Sequence, residues 1–130
     1  TAASFGRFGS RTVESVQSET YVRKLAVDLR HARRRTIATG DNHYLALTLA
    51  SGKVASYVLT QRASGGDVAV DAPRATPAGV DVTASSSQLE FDFDGSALGA
   101  YSVAVSGPAR SWTLSVAAAT GAVQVAETTP

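Results

Sequence analysis

The chain has 130 residues, a net charge of +1 and 44% hydrophobic residues. This size accommodates one domain with a substantial core and leaves little room for two. The absence of cysteine excludes a disulfide framework and a thiolate metal site, and the two histidines are too few for a zinc centre without carboxylate ligands. The longest apolar run falls far short of the roughly 18 to 20 residues that span a bilayer, so we expect the chain as given to be soluble.

Residues 12–40 are predicted to form one long amphipathic helix. Thr12 is a suitable N-cap, Gly40 is a suitable left-handed stop, and Glu14 and Glu19 place negative charge early in the helix. The stripe expected to be buried recurs at alternating spacings of three and four: Val22, Leu25, Leu29, Ala32 and Thr36. Most charged residues, Asp28 among them, are expected elsewhere on the helix. Residues 1–11, with Phe5 and Phe8, are interpreted as the remnant of a longer apolar segment.

After Gly40 the hydrophobic period changes from that of a helix to that of a strand. His43–Ala50 and Lys53–Gln61 alternate in polarity around Ser51 and Gly52, which predicts a β-hairpin. Residues 62–67 are predicted to be loop and 68–70 a short strand. Pro73 and Pro77 indicate an irregular connection that ends at Gly79.

The second half of the chain shows short alternating segments separated by turn residues, at 80–85, 89–93, 101–105, 112–116 and 123–125. In the second of these, Leu89, Phe91 and Phe93 are expected to face the core, with Glu90 and Asp92 facing solvent. The pattern predicts about seven strands in an antiparallel meander. The fold class is therefore α+β, with the long N-terminal helix packed on antiparallel sheet. Within a single domain of residues 1–130, the sheet occupies 41–126 and a loose tail 127–130.

The order of these elements resembles the minor pseudopilins and minor pilins of the type II secretion H-subunit and FimT family. The resemblance rests on the helix pattern Leu25, Asp28, Leu29, Ala32, Arg33, Ile37 and Gly40, and on Phe91, Phe93 and Gly95 near a sheet turn. It implies a pilin-like fold and a structural subunit of a type II secretion pseudopilus or type IV pilus. It also implies a precursor cleaved by prepilin peptidase and methylated, partner pilins or pseudopilins, an inner-membrane anchor and a globular domain in the periplasm.

The sequence departs from the family in two places. The leader and the apolar helix that follows it are missing before Thr1, and we interpret this as truncation for solubility. Where many members carry a Gly-Arg pair near the C-terminus, this chain has Thr120, Gly121, Ala122 and Val123. We therefore do not expect DNA uptake through that tail.

The sequence offers little support for an enzyme, and no cofactor is expected. His31 and His43 have no nucleophile elbow nearby and are interpreted as a solvated helix residue and a strand-edge residue. Asp92 and Asp94 would share a strand face and suggest a metal site, although solvent-facing and turn roles are the simpler interpretation. Gly65 and Gly66 lead into a strand rather than a helix, which does not favour a phosphate site.

One charged feature of the sequence allows two different interpretations, a binding site or a structural role. Four basic residues cluster late in the helix: Arg30, Arg33, Arg34 and Arg35. Such a cluster can bind nucleic-acid phosphates or another anionic partner. Alternatively, it offsets the helix dipole and solvates the exposed side of the helix, and Arg33 holds a carboxylate where the helix meets the sheet. Residues 63–79 are a further candidate surface for a specific partner.

Overall fold

The computed structural model describes residues 2–108 and 110–128, with the helical side chains described from residue 16 onward. It begins with a single helix, α1, at Ala2–Thr39. The predicted start at Thr12 is wrong, because helical backbone continues from that residue back to Ala2. At about 1.5 Å per residue, the helix is roughly 57 Å long. The side chains of Phe5, Phe8 and Glu14, and residue 1 itself, lie outside what the structure describes.

The C-terminal stop of the helix is confirmed. Gly40 adopts a φ of 79°, and its N–H donates to the carbonyl of Thr36 at 2.9 Å. A left-handed residue is needed at this point to close the last turn, and glycine reaches that conformation without steric cost. The chain then reverses into the first strand.

The predicted buried stripe of the helix is also confirmed, since all five of its members are at most 2% exposed: Val22, Leu25, Leu29, Ala32 and Thr36. The buried face is wider than the prediction and includes Tyr21 and Ala26. It also includes Asp28, which the sequence analysis placed away from the stripe. Burial of this acid requires partners, which are described below.

Nine strands occur in the described residues, and all of their pairings are antiparallel. The first sheet has the order β3-β2-β1-β6, with β4 also pairing with β2. Its strands are β1 His43–Ala50, β2 Lys53–Gln61, β3 Val68–Ala69, β4 Arg74–Ala75 and β6 Gln88–Phe91. The second sheet has the order β5-β7-β8-β9 and contains β5 Asp81–Ala84, β7 Tyr101–Ser106, β8 Ser111–Val116 and β9 Val123–Thr128.

The hairpin β1–β2 has the predicted bounds. Its turn places Ser51 at a φ of 54° and Gly52 at 80°, the two positive values that a tight hairpin turn requires. Both sheets pack against α1, and the side chains at their contact are fully buried, among them Leu29, Leu45, Phe91 and Leu114. The predicted inward residues of β8, including Trp112 and Val116, are likewise buried.

Three strand predictions need correction. Strand β6 ends at Phe91, so Phe93 does not continue the buried face and is 65% exposed. Glu90 was expected to face solvent but is buried, because Arg62 lies across it and donates from Nη2 to its Oε1 at 2.8 Å. Strand β9 extends to Thr128, so residues 127 and 128 are not a loose tail.

The remaining differences concern short elements. The strands predicted at 80–85 and 68–70 are shorter in the structure, and β4 was missed between the two prolines. Two-residue strands leave no periodicity to read, because a period of two requires at least four residues to recur.

Candidate functional site: the basic end of the helix and its outer face

Two arginines of the basic cluster connect α1 to the sheets through hydrogen bonds. Arg30 donates from Nη2 to the carbonyl of Val123 at 3.0 Å. Arg33 donates from Nε to the carbonyl of Gly95 at 2.8 Å and to that of Thr120 at 3.2 Å. The expectation that Arg33 holds a carboxylate is therefore wrong, because its acceptors are backbone carbonyls. Arg33 joins the helix to a turn that follows the first sheet and to another within the second.

These two turns approach each other so closely that one of them needs a glycine. Gly121 has a φ of 70°, and a Cβ at this position would collide with the carbonyl oxygen of Gly95 and lie 3.0 Å from Arg33 Nε. Any larger residue would be strained and would displace the arginine. The glycines are typical of turns, but no local signal shows that the two turns meet at Arg33.

The fourth arginine in sequence, Arg35, donates from Nε to Nε2 of His43 at 3.3 Å. His43 is fully buried, its Nδ1 donates to the carbonyl of Asp41 at 2.8 Å, and its backbone N–H donates to Thr36 Oγ1 at 2.9 Å. This arrangement requires the neutral imidazole, with the proton on Nδ1. Burial lowers the pKa of His43, and the charge of Arg35 lowers it further, although the hydrogen bond to the carbonyl of Asp41 opposes this shift.

The interpretation of His43 as a strand-edge residue is wrong. Strand β1 lies inside the first sheet, where His43 pairs with Gln61 on one side and Phe91 on the other. In the sequence, His43 is recognisable only as a histidine at the start of a strand after a glycine turn. This pattern does not reveal the arginine that packs against it from the helix.

Arg34 differs from the other three members of the cluster. Its side chain is exposed, and it has no hydrogen-bond or ion-pair partner among the residues that the structure describes. It lies on the face of α1 opposite the buried stripe, in line with Val16, Arg23 and Val27. Val16 and Val27 are 55% and 46% exposed. The outer face of the helix therefore presents apolar and basic side chains together.

The pair Asp92 and Asp94 does not form a strand face, because both residues lie in the turn after β6. Asp92 Oδ1 accepts a hydrogen bond from the N–H of Phe93, and Asp94 Oδ1 accepts from the N–H and hydroxyl of Ser96. The hydrogen bonds from Ser96 lower the pKa of Asp94. Across the described residues no group of His, Asp and Glu side chains is close enough to hold a metal ion.

Asp28, which was expected away from the buried stripe, is the centre of a polar cluster. Its Oδ2 accepts a hydrogen bond from the Tyr57 hydroxyl at 2.7 Å. It also forms ion pairs with Arg74, whose Nε lies 3.1 Å from Oδ2, and with Lys24, whose Nζ lies 3.3 Å from Oδ1. Burial, together with the neighbouring carboxylate, raises the pKa of the Tyr57 hydroxyl. Lys24 and Asp28 have the i, i+4 spacing of a helical ion pair, but no local pattern reveals Tyr57 and Arg74, which come from segments distant in sequence.

No protein-family model and no curated protein matches this sequence. Solved structures do match its fold. The minor pseudopilin EpsH of the type 2 secretion system of Vibrio cholerae superposes with a TM-score of 0.71 over 85% of this chain and 96% of that one, at 10% identity. The fold is pilin-like.

A second protein with this pilin-like fold is the type IV minor pilin FimU of Pseudomonas aeruginosa strain PAO1. Its two crystal forms give TM-scores of 0.67 and 0.65 at 16% identity, and the first covers 92% of both chains. The fold class expected from the sequence, a long helix packed on antiparallel sheets, is thus confirmed. In the described part of this chain, no helix contains an apolar stretch long enough to cross a bilayer.

Proposed function

We propose that this protein is a structural minor subunit of a type IV pilus or a type II secretion pseudopilus. The proposal is supported by its pilin-like fold, which it shares with a minor pilin and a minor pseudopilin over most of their length. It assembles with other pilins or pseudopilins through its helix and contacts partners through its sheets. Its precursor is cleaved by prepilin peptidase and methylated, and is anchored in the inner membrane with the sheets in the periplasm.

The outer face of α1 is the observation that carries this proposal. One side of the helix is buried in the core, while Val16 and Val27 on the other side are about half exposed. Apolar side chains aligned on an exposed helix face favour packing against another helix. Arg34 lies in line with them and can pair with an acidic residue of a neighbouring subunit, whereas Arg23 already pairs with Glu19 of the same helix at 3.1 Å.

Cysteine cross-linking in the native assembly tests this proposal. The full-length precursor carrying Val27→Cys is expressed with prepilin peptidase and the pilins or pseudopilins of the same cells. The thiol is labelled with a maleimide that carries a photoreactive group, and on illumination we expect a cross-link to a neighbouring subunit. Leu49→Cys serves as the control, because Leu49 is 50% exposed at the far end of strand β1. The proposal would be contradicted if folded, processed protein gave no cross-link from position 27 and assembled with no pilin.

The alternative function is nucleic-acid binding through Arg30, Arg33, Arg34 and Arg35. The exposed Arg34 favours it, since this guanidinium is open to phosphate oxygens. Fluorescence anisotropy with labelled DNA at two salt concentrations separates the alternatives. Phosphate contacts weaken steeply with salt, and Arg34→Ala removes the exposed cation without disturbing the arginines that hold the sheets. No binding at low salt excludes this alternative.

A further inference from the structure

A groove opens between the first described side chains of α1 and the segment around β4. It has a volume of about 410 Å³ and is lined by Val16, Gln17, Thr20, Tyr21 and Lys24 of the helix, and by Tyr57, Pro73, Arg74, Ala75 and Pro77. The rings of Tyr21 and Tyr57 meet edge to face, with centroids 6.1 Å apart. Both tyrosines are at least nine-tenths buried, so the floor of the groove is aromatic and its walls include two prolines.

The rim of this groove carries excess positive charge. Lys24 and Arg74 both lie against the single carboxylate of Asp28, and both remain more than 40% exposed. Arg74 contacts that carboxylate through Nε, which leaves its two Nη groups without a partner among the described residues. Unused donors on a half-exposed guanidinium favour an incoming carboxylate. The groove therefore suits an aromatic or aliphatic side chain that has an acid beside it.

The chain itself presents such a group at the turn of residues 92–95. Phe93 is 65% exposed, the largest exposed fraction among the large hydrophobic side chains that the structure describes. It stands between Asp92 and Asp94. The turn is held rigid, because the N–H of Asp92 donates to Ser96 at 2.8 Å and the N–H of Gly95 donates to Asp92 at 2.9 Å. A preorganised turn loses little conformational freedom when it binds.

The turn and the groove lie at different levels of α1 and cannot meet within one molecule. Gly95 lies against Arg33 and Ile37 near the C-terminal end of the helix, whereas the groove is lined by residues 16–24. From Lys24 to Ile37 the helix rises roughly 20 Å. The complementary charges of the turn and the groove can therefore pair only between two molecules.

We propose that this groove receives the 92–95 turn of a second copy of this chain. Phe93 packs on the tyrosines and prolines, and Asp92 and Asp94 pair with Lys24 and Arg74. Because the two surfaces differ, the contact is heterologous and leaves one free turn and one free groove at the ends of every oligomer. The proposal is independent of the pilus assignment, since it concerns this chain alone.

Analytical ultracentrifugation of the purified chain over a range of concentrations up to about 1 mM provides the first test. We expect an average mass that rises with concentration and does not stop at a dimer. Raising the salt concentration should weaken association, because the pairing charges are exposed. A chain that stays monomeric throughout, or that forms only a closed dimer, overturns the proposal.

Two surface variants make the test specific. Phe93→Ser removes the inserted side chain and Val16→Glu places a repelling carboxylate at the rim. Both residues are more than half exposed, so both variants should fold. We expect each alone to associate roughly tenfold or more weakly than the parent chain. Leu98→Ser, at another exposed apolar residue, is the matched control and should associate like the parent.

Mixing the variants gives the decisive result. Phe93→Ser retains an intact groove and Val16→Glu retains an intact turn, so an equimolar mixture should form a one-to-one complex and nothing larger. Association of the Phe93→Ser variant to the same extent as the parent overturns the proposal. So does a mixture that remains monomeric while the parent associates.

Discussion

Replacing Arg33 with methionine should destabilise the fold. Arg33→Met keeps the aliphatic stem but removes the guanidinium, which donates to the carbonyls of Gly95 and Thr120. A hydrogen bond to a charged group contributes about 1.5 to 3 kcal/mol, and the contact with Thr120 is exposed and weaker. We therefore expect a loss of about 2 to 3 kcal/mol in the free energy of unfolding.

Urea denaturation followed by circular dichroism measures this loss directly, and thermal unfolding should show a melting temperature lower by roughly 6 to 12 °C. Arg34→Met is the matched control. It removes a neighbouring guanidinium that has no partner among the described residues, so stability should change by less than about 0.5 kcal/mol. If the two variants are equally stable, Arg33 does not hold the two turns and the reasoning fails.

Three further predictions concern the same junction and the cluster below it. Because burial lowers the pKa of His43, the unfolded chain binds its proton more readily, and stability should fall as the pH decreases below about 6.5 toward the folded pKa. Denaturation at several pH values measures this dependence, and His43→Asn should flatten it. An unchanged slope in the variant would show that another group titrates. Gly121→Ala should lower the free energy of unfolding by about 1 to 3 kcal/mol, because of the positive φ and the collision with Gly95. Gly52→Ala is the control, because open space surrounds Gly52, and it should show only the smaller loss that the positive φ causes. Tyr57→Phe removes a hydrogen-bond donor from the buried Asp28 and should lower the free energy of unfolding by about 1 to 3 kcal/mol. An unchanged melting temperature would count against a stabilising role of the cluster.

The positions of the basic residues have a general physical reason. A long helix that packs on two sheets leaves polar backbone at the turns where those sheets end, and buried carbonyls need donors. Arg30 and Arg33 supply them from the helix. A run of arginines that looks like a ligand-binding patch in the sequence can therefore serve mainly to attach one element to another.

The sequence alone determined the elements whose signal is local and repeated. The buried stripe of the helix, the glycine stop at Gly40 and the bounds of the first hairpin follow from periodicity and from turn residues, and the structure confirms each of them. The class α+β and the pilin-like resemblance follow from the order of these elements. Local patterns suffice here because a helix or a hairpin buries its apolar side wherever the rest of the chain lies.

Only the tertiary structure decided which distant residues meet. The carbonyls that accept from Arg33 lie on other elements, as do the arginine beside His43 and two partners of Asp28, Tyr57 and Arg74. No spacing along the chain predicts these contacts. The same is true of Phe93, which continues the alternating pattern of β6 but follows its last residue. Burial of a polar group and the end of a strand depend on neighbours brought together by folding, and a single sequence records those neighbours only as separate residues.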